Sequence, residues 1–201
     1  MSQLRLSNCI LIICMLSVLS VSCNREASLC RQPDADEWAA LQTGDLVFCV
    51  GHSAKSAAVR FLSSDRSTFS HVGFVVKTSD STGLMCHMSA DDKCITQESL
   101  ESYITKSNVT RLAFYRLSSY VDAKRLDALL DSMLSRKVVF DEDFNFSSED
   151  KIYCTELIVK VLRKAGNHDL DGIDTNHHIY PSDLILYGNL CPLYEISNLI
   201  Q

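Results

Sequence analysis

The sequence predicts one α+β domain, because short β-rich runs are interleaved along the chain with amphipathic helical segments. Three segments carry this prediction. Residues 46–50 have the pattern of a short buried strand, residues 71–89 form a β-hairpin around a polar turn, and residues 153–165 repeat apolar side chains at helical spacing. The chain has 201 residues, enough for one domain with a substantial core. We therefore expect one folded domain over residues 41–201.

The individual elements follow in chain order from local patterns of hydrophobicity and turn residues. They are a turn at 41–45, a strand at 46–50, a helix at 53–63, strands at 71–76 and 84–89, a strand at 109–117, a helix at 121–137, a loop at 141–152 and a helix at 153–165 that stops at Gly166. In the helix at 53–63 one set of residues recurs at helical spacing: Ala54, Ala57, Ala58, Phe61 and Leu62. We expect this helix to bury that face.

The overall charge argues against one class of function. The formal net charge is −6, whereas a protein that binds nucleic acid needs a basic face to meet the phosphates. We therefore expect no nucleic-acid partner. The sequence contains no internal repeat and no low-complexity run, which agrees with a single domain.

The first residues have the pattern of an export signal. Arg5 precedes an apolar run at 9–21, which is too short to span a bilayer comfortably and has the length of a signal-peptide core. The run ends in small residues before Cys23, as in a bacterial lipoprotein cleavage site. We therefore predict a signal peptide over 1–22, a lipid anchor on Cys23, a tether over 23–40 and a location in the cell envelope, on the periplasmic or surface side. The alternative is an ordinary cleaved signal peptide without a lipid.

The cysteines do not form a metal-binding pattern. Nine are present, and the sequence has no C-x-x-C pair, so we expect no structural zinc site and no metal. An exported protein can form disulfides, and Cys86 and Cys94 are the closest pair in the mature chain. Sequence spacing alone assigns no connectivity.

Cys154 is the candidate nucleophile. It opens a helix on which one apolar stripe faces the rest of the protein: Cys154, Leu157, Ile158, Val161, Leu162 and Ala165. A thiol in the first turn of a helix lies near unpaired N–H groups and the positive end of the helix dipole, and both favour the reactive thiolate. The alternative is a buried structural cysteine, which the polar loop before the helix makes less attractive.

The hairpin supplies a candidate base. Strand alternation places His71, Gly73 and Val75 on one face, and pairing Val76 with Thr82 or Leu84 brings His87 to that same face. Gly73 leaves room for a group to approach the base closely. If His87 faced the other side, Ser89 and Glu98 would be the next candidates to orient His71. The other histidines, His168, His177 and His178, lie in a polar loop with several aspartates and are interpreted as solvated.

Four motifs together resemble a known family. They are 43–47 (TGDLV), 69–75 (FSHVGFV), 151–157 (KIYCTEL) and 180–184 (YPSDL). They are similar to the YiiX/YaeF group of the NlpC-type, papain-like superfamily, from about residue 41 to about residue 188. The resemblance implies a circularly permuted papain-like fold, with an antiparallel sheet packed against helices and the histidine before the cysteine in the chain.

The resemblance also implies roles for individual residues. Cys154 matches the nucleophile of the family and His71 its catalytic histidine. The third, polar member usually lies on the next strand and is often a carboxylate. This chain has His87 there, as in the lecithin retinol acyltransferase branch. The implied chemistry passes through an acyl-enzyme, needs no cofactor and has the N–H of Cys154 as an oxyanion donor, with Tyr153 as a second contributor or, alternatively, a core aromatic.

The implied function is that of a cysteine hydrolase of the amidase or peptidase class, acting on amide bonds of cell-wall peptides or N-acyl lipids. Its partners would be a peptide or acyl-lipid substrate and the membrane that holds the N-terminal lipid. One alternative is a lipid acyltransferase or thioesterase, which the second histidine and nearby apolar residues favour: Phe69, Phe74, Met85 and Met88. The other alternative is a non-catalytic lipid-binding module.

Overall fold

The structure is a computed structural model that describes residues 35–63, 69–78, 83–197 and 199. In chain order its elements are α1 (Ala35–Ala40), β1 (Leu46–Gly51), α2 (Ala54–Leu62), β2 (His71–Lys77), β3 (Gly83–Ser89), β4 (Cys94–Ser99), α3 (Leu100–Lys106), β5 (Val109–Leu117), α4 (Ala123–Ser135), β6 (Val139–Phe140), β7 (Lys151–Ile152), α5 (Cys154–Ala165), α6 (Pro181–Tyr187) and β8 (Leu190–Ser197). The predicted signal peptide, Cys23 and most of the predicted tether lie outside the described residues.

The strands form one sheet in the order β7-β6-β4-β3-β2-β1-β5-β8. The neighbouring strands run antiparallel, except for β6 and β7, which are parallel. Helices cover both faces of the sheet, so the predicted α+β class is confirmed. The central strands β1, β2 and β3 are buried along most of their length, which is why the sequence alternates so weakly there.

The hairpin of β2 and β3 has the predicted register. Val76 pairs with Leu84 and Phe74 pairs with Cys86. The pairing of β4 with β3 continues this register, with Glu98 opposite Met85. Because side chains two residues apart share a face, this register places His87 and Glu98 on the same side of the sheet.

Each face of the sheet has its own hydrophobic core. The larger core contains Val72 and Phe74 from β2 and the apolar stripe of α5, together with residues of α4. The smaller core contains Val75 of β2 and Met85 of β3, with Leu100, Tyr103 and Ile104 of α3 against them, and Trp38 of α1 packs on it. The two cores fix α5 on one face of β2 and α3 on the other.

Helix α5 is the most deeply buried helix of those described. Residues 155–162 are all buried, including the polar side chains of Thr155, Glu156 and Lys160. The helix ends at Gly166, whose φ of 81° is the left-handed conformation that glycine adopts without strain. The predicted helix at 153–165 is therefore present with its expected buried stripe.

Helix α2 differs from the prediction in its packing. It forms where the sequence indicated, but none of its residues is buried, and Phe61 and Leu62 are 84% and 64% exposed. The apolar spacing predicts that the helix has an apolar face, but the two faces of the sheet are already covered by α3 and α5. The expectation that α2 buries that face is therefore wrong within the described residues.

Three further observations bear on the sequence analysis. Residues 35–40 form α1, and its Trp38 packs edge-on against Phe114, with ring centroids 6.1 Å apart. The folded part of the chain therefore includes residues assigned above to the tether. The five described cysteines, Cys49, Cys86, Cys94, Cys154 and Cys191, are all free. Among the helices of the described ranges, none has the length and hydropathy to cross a membrane.

Candidate active site

Cys154 begins α5, where it meets the start of β2. Its side chain is half-buried, and its sulfur accepts hydrogen bonds from the backbone N–H groups of Val72 and Thr155, with the N–H of Cys154 itself also close by. These N–H groups lower the pKa of the thiol, but burial outweighs them and raises it to about 11. Burial of the thiol thus opposes the stabilisation of the thiolate that is expected from the helix start.

The start of α5 is held by a buried carboxylate. Glu156 Oε2 accepts the backbone N–H of Tyr153 at 3.2 Å, and Glu156 Oε1 lies 2.8 Å from Nζ of Lys160. The Lys160 ammonium also donates to the carbonyl of Ser148. Both charged groups are buried, so their mutual pairing offsets the desolvation of each. These contacts fix the first turn of α5 and with it the backbone position of the thiol.

His71 and His87 form a hydrogen-bonded pair on the α3 side of the sheet. Nε2 of His71 lies 2.9 Å from Nδ1 of His87, and the two rings are perpendicular. Gly73 makes this approach feasible. A Cβ at Gly73 would lie 2.9 Å from Cβ of His87 and 2.6 Å from Cε of Met85. The space that the glycine leaves beside the base is therefore occupied by the second histidine.

Glu98 stands behind His87. Its Oε1 lies 3.3 Å from Nε2 of His87, so the polar line runs from His71 through His87 to a carboxylate. Ser89 takes no part in this line, because its hydroxyl donates to Asp92 at 2.8 Å. The sequence analysis had kept Glu98 only as a substitute for His87, and the structure places both residues in one chain of contacts.

Tyr103 of α3 closes the site from the other side. Its ring stacks on His71 with centroids 5.8 Å apart and meets His87 edge-on at 4.9 Å. Its hydroxyl donates to the thiol of Cys49, and burial raises the pKa of the Tyr103 hydroxyl well above its usual range. The sequence analysis missed Tyr103 and Cys49 as neighbours of the site.

The electrostatics of the pair favour neutral imidazoles. Burial lowers the pKa of His71 well below 6.5, and the neighbouring His87 lowers it further. Burial also lowers the pKa of His87, against the opposing effect of Glu98. These shifts favour a site in which the thiol and both imidazoles are uncharged. Between the described side chains of Cys154 and His71 no hydrogen bond is formed. Contacts of this kind often tighten only when substrate binds.

The family model of the permuted papain-like amidase enzymes YaeF/YiiX matches residues 40–179. The chain belongs to this family. It is therefore a cysteine hydrolase of the amidase kind, and its fold is the permuted papain-like fold that the four motifs predicted.

A solved structure of the same fold supports this assignment. The crystal structure of the metalloprotein YiiX from Escherichia coli O157:H7 aligns with a TM-score of 0.61 at 18% identity, over 76% of this chain and 96% of YiiX. At that identity the likeness concerns the fold. A comparison with curated proteins gave no match.

The description of YiiX as a metalloprotein raises the question of a metal in this chain. Over the described ranges, no group of three or more His, Cys, Asp or Glu side chains is placed to hold an ion. His168 pairs with Asp171 at 2.8 Å and is exposed, as expected for a solvated loop. The same expectation is wrong for His178, whose partly buried ring stacks on Phe144 and Tyr180. The described residues therefore offer no set of side chains that fits a metal.

Tyr153 lies next to the nucleophile, but its side chain points into the larger core. Its hydroxyl accepts the N–H of Ile179 at 3.2 Å, and its ring packs edge-on against Phe144. Burial raises the pKa of this hydroxyl to about 12. Of the two roles considered for Tyr153, the structure favours that of a core aromatic residue. Its side chain holds the segment before α6 in place.

Proposed function

We propose that Cys154 is the nucleophile, His71 the general base and His87 the group that orients His71, and that the enzyme cleaves the amide bond of N-acylated substrates. One observation carries the proposal. The paired histidines begin at His71, and the next residue, Val72, donates its N–H to the sulfur of Cys154. His71 and Cys154 are thus both next to the start of β2, where it meets the first turn of α5.

The proposed reaction uses the neutral thiol and imidazole of the resting site. As the sulfur of Cys154 attacks the carbonyl carbon, Nδ1 of His71 accepts the thiol proton. The N–H of Cys154, released from its own sulfur, donates to the developing oxyanion. The C–N bond then breaks, and His71 returns the proton to the leaving amine. Water, activated by the same imidazole, hydrolyses the thioester and restores the thiol.

An apolar surface beside the site supports an acyl substrate. Ser63, which follows α2, shares a hydrogen bond of 2.8 Å with Ser182 of α6, and Thr155 of α5 donates to the carbonyl of Ile179 just before α6. These contacts bring the end of α2, with exposed Phe61 and Leu62, to the same side as the nucleophile. An acyl chain could lie along such a surface, whereas a charged wall peptide gains little from it.

The apolar residues named from the sequence contribute less directly. Phe74, Met85 and Met88 are fully buried in the two cores, so they support the strands and offer no surface to a substrate. The apolar contribution to binding is therefore assigned to the end of α2.

The location remains a proposal from the N-terminal sequence. Export and lipidation of Cys23 would hold the domain at a membrane, which is where N-acyl lipids are found. Intact-mass measurement of the mature protein from a bacterial envelope, compared with its Cys23→Ala variant, tests it. A diacylglyceryl mass that disappears in the variant is the expected result, and an unmodified N-terminus would contradict lipidation.

The experiment on function compares two substrates and two cysteines. Purified protein is incubated with an N-palmitoyl amino acid amide and with a wall-type peptide, and products are followed by mass spectrometry. We expect hydrolysis of the N-acyl substrate, a thioester adduct on Cys154 and a loss on the order of 10⁶-fold in Cys154→Ala. The exposed Cys191, as Cys191→Ala, is the matched control and should retain full activity.

The outcomes separate the alternatives. Cleavage of the peptide alone would overturn the substrate assignment, and activity that survives Cys154→Ala would overturn the nucleophile. Transfer of the acyl group to an added amine or alcohol in preference to water would identify an acyltransferase. Binding of the acyl substrate without any adduct or turnover would identify a non-catalytic module.

A further inference from the structure

We infer that Glu98 is a positioning residue that fixes the tautomer of His87 and, through it, the tautomer of the base. The inference rests on the proposed role of His71. It goes beyond that role because it assigns the orientation of the base to a carboxylate on β4, which does not contact His71 or Cys154. The catalytic line is thus four groups long: the thiol, two imidazoles and a carboxylate.

The tautomers follow from hydrogen-bond chemistry. A carboxylate only accepts, so the contact between Glu98 Oε1 and Nε2 of His87 requires a proton on that nitrogen. A neutral His87 then has an unprotonated Nδ1, which must accept from Nε2 of His71 across 2.9 Å. His71 in turn has its proton on Nε2. Its Nδ1 is left with a free lone pair, which is the state that a base for the thiol needs.

Glu98 is itself held in place. Its side chain is only 14% exposed, and its Oε2 accepts from the hydroxyl of Ser102 at 3.2 Å. Nζ of Lys106 lies 3.9 Å from Oε1. Ser102 and Lys106 thus hold the carboxylate in the orientation in which Oε1 points at His87.

The charge of Glu98 has a second effect. When His71 accepts the thiol proton, its imidazole becomes cationic, and the Glu98 carboxylate beyond His87 stabilises that charge. A neutral orienting imidazole alone provides less of this stabilisation. The groups that face His87 from the elements around it are His71, Glu98, Tyr103, Lys106 and Asp92. Glu98 is the one anion among them in direct contact with the ring.

The first test reads the tautomers without any substrate. Protein labelled with ¹⁵N-histidine is studied by long-range ¹H–¹⁵N NMR at neutral pH. We expect both His71 and His87 in the Nε2–H form, and in Glu98→Ala we expect His87 to populate the Nδ1–H form. An unchanged His87 tautomer in Glu98→Ala would overturn the inference, whether or not the enzyme is active.

The second test uses activity on the substrate found for the wild-type enzyme. Glu98→Ala should lower kcat by roughly 10- to 100-fold, the size typical of an outer hydrogen-bond partner. Glu98→Gln should retain more activity, because its amide oxygen can still accept from His87 while its NH₂ group faces Ser102. The matched control is Glu101→Gln, which removes an exposed carboxylate from the first turn of α3 and should change nothing.

The pH profile distinguishes positioning from mere folding. Because the Glu98 charge raises the pKa of His87, its removal in Glu98→Gln should move the acid limb of kcat/KM to lower pH while the plateau falls. A merely structural glutamate would lower the active fraction and leave the limb in place, and that outcome would overturn the inference. Failure of the proposed function is separate, since it appears as full activity in Cys154→Ala.

Discussion

The two halves of the candidate site are held in different ways. Cys154, the proposed nucleophile, lies on the first turn of α5, where backbone N–H groups lie beside its sulfur and a buried ion pair of Glu156 and Lys160 fixes the turn. The base stands at the start of β2, where its orientation depends on a line of side chains that ends at Glu98. One half is positioned by main chain and buried charge, the other by side chains.

This difference separates the effects of mutation. A change in the support of the nucleophile disturbs the helix that fills the larger core, so it should appear mainly as lost stability. A change in the histidine line leaves the sheet hydrogen bonds in place, so it should appear mainly as lost rate. The following experiments test that separation, from the largest expected effect to the smallest.

His71→Ala should lower the rate by about 10²–10⁴-fold, because it removes the general base. The strand is held by backbone pairing with β1 and β3, so the melting temperature should change little. Steady-state kinetics and thermal unfolding of the same preparation check both statements. His52→Ala, at an exposed position just after β1, is the control. Unfolding of His71→Ala at room temperature would show that His71 is structural.

Glu156→Gln should have the opposite effect, with a large loss of stability. It removes the buried counter-ion that lies 2.8 Å from the Lys160 ammonium and leaves only the exposed Glu149 at 4.0 Å, which should lower the free energy of unfolding by about 3–5 kcal/mol. Urea denaturation measures this quantity. Glu142→Gln, which breaks the exposed pair with Lys93, is the control and should cost less than about 1 kcal/mol. Equal losses in the two variants would show that the buried pair does not support α5.

Gly73→Ala should displace His87 while the fold persists. The new methyl group would lie 2.6 Å from Cε of Met85, 2.9 Å from Cβ of His87 and 3.0 Å from the carbonyl oxygen of Cys86. The Met85 side chain and the β3 backbone must therefore move away from β2, and the contact between His87 and His71 should lengthen. Misplacement of this size lowers rates by about 10²-fold. Gly83→Ala is the matched control, since its Cβ would meet only ordinary contacts at 3.7 Å or more. A Gly73→Ala enzyme with wild-type kcat would show that the close approach of His87 is not needed.

The smallest effect is the pH dependence of stability. The folded protein holds His71 and His87 with lowered pKa values, so below pH 6.5 the unfolded chain binds more protons than the folded one. Stability from these groups is complete above pH 6.5 and falls as the pH drops below it, by up to about 1.4 kcal/mol per pH unit for each histidine. Denaturation between pH 7 and pH 5 should show this slope in the wild type. His87→Asn should reduce it, and His168→Asn, at an exposed site, should not.

The parts of the site that the sequence predicted lie on strongly patterned elements. Alternation in β2 and β3 placed His71 and His87 on one face, and the 3.6-residue period of α5 placed Cys154 at the start of a buried stripe. In both cases the apolar pattern decides the orientation of the polar residue. The catalytic roles assigned to these residues stay a proposal until variants are measured.

The parts that the sequence did not predict lie on short elements. Helix α3 has seven residues, less than two turns beyond its cap at Ser99, so it shows no clear period. Tyr103 could therefore not be placed, and Glu98 on β4 could not be assigned a neighbour. The exposure of α2 was missed for another reason. A period reveals an apolar face, but it does not reveal whether the fold has a surface left to cover that face.

Helix α1 constrains how the domain is connected to whatever precedes it. Trp38 packs on Phe114, and the carbonyls of Trp38 and Ala39 accept from Nζ of Lys77 at the end of β2. The chain is thus clamped to the smaller core, on the sheet face opposite α5. If Cys23 carries a lipid, residues 23–34 can span at most about 40 Å between the lipid and the start of α1. The packing of α1 fixes the point of the domain from which this segment starts. The range of orientations that the domain can take above a bilayer is therefore limited.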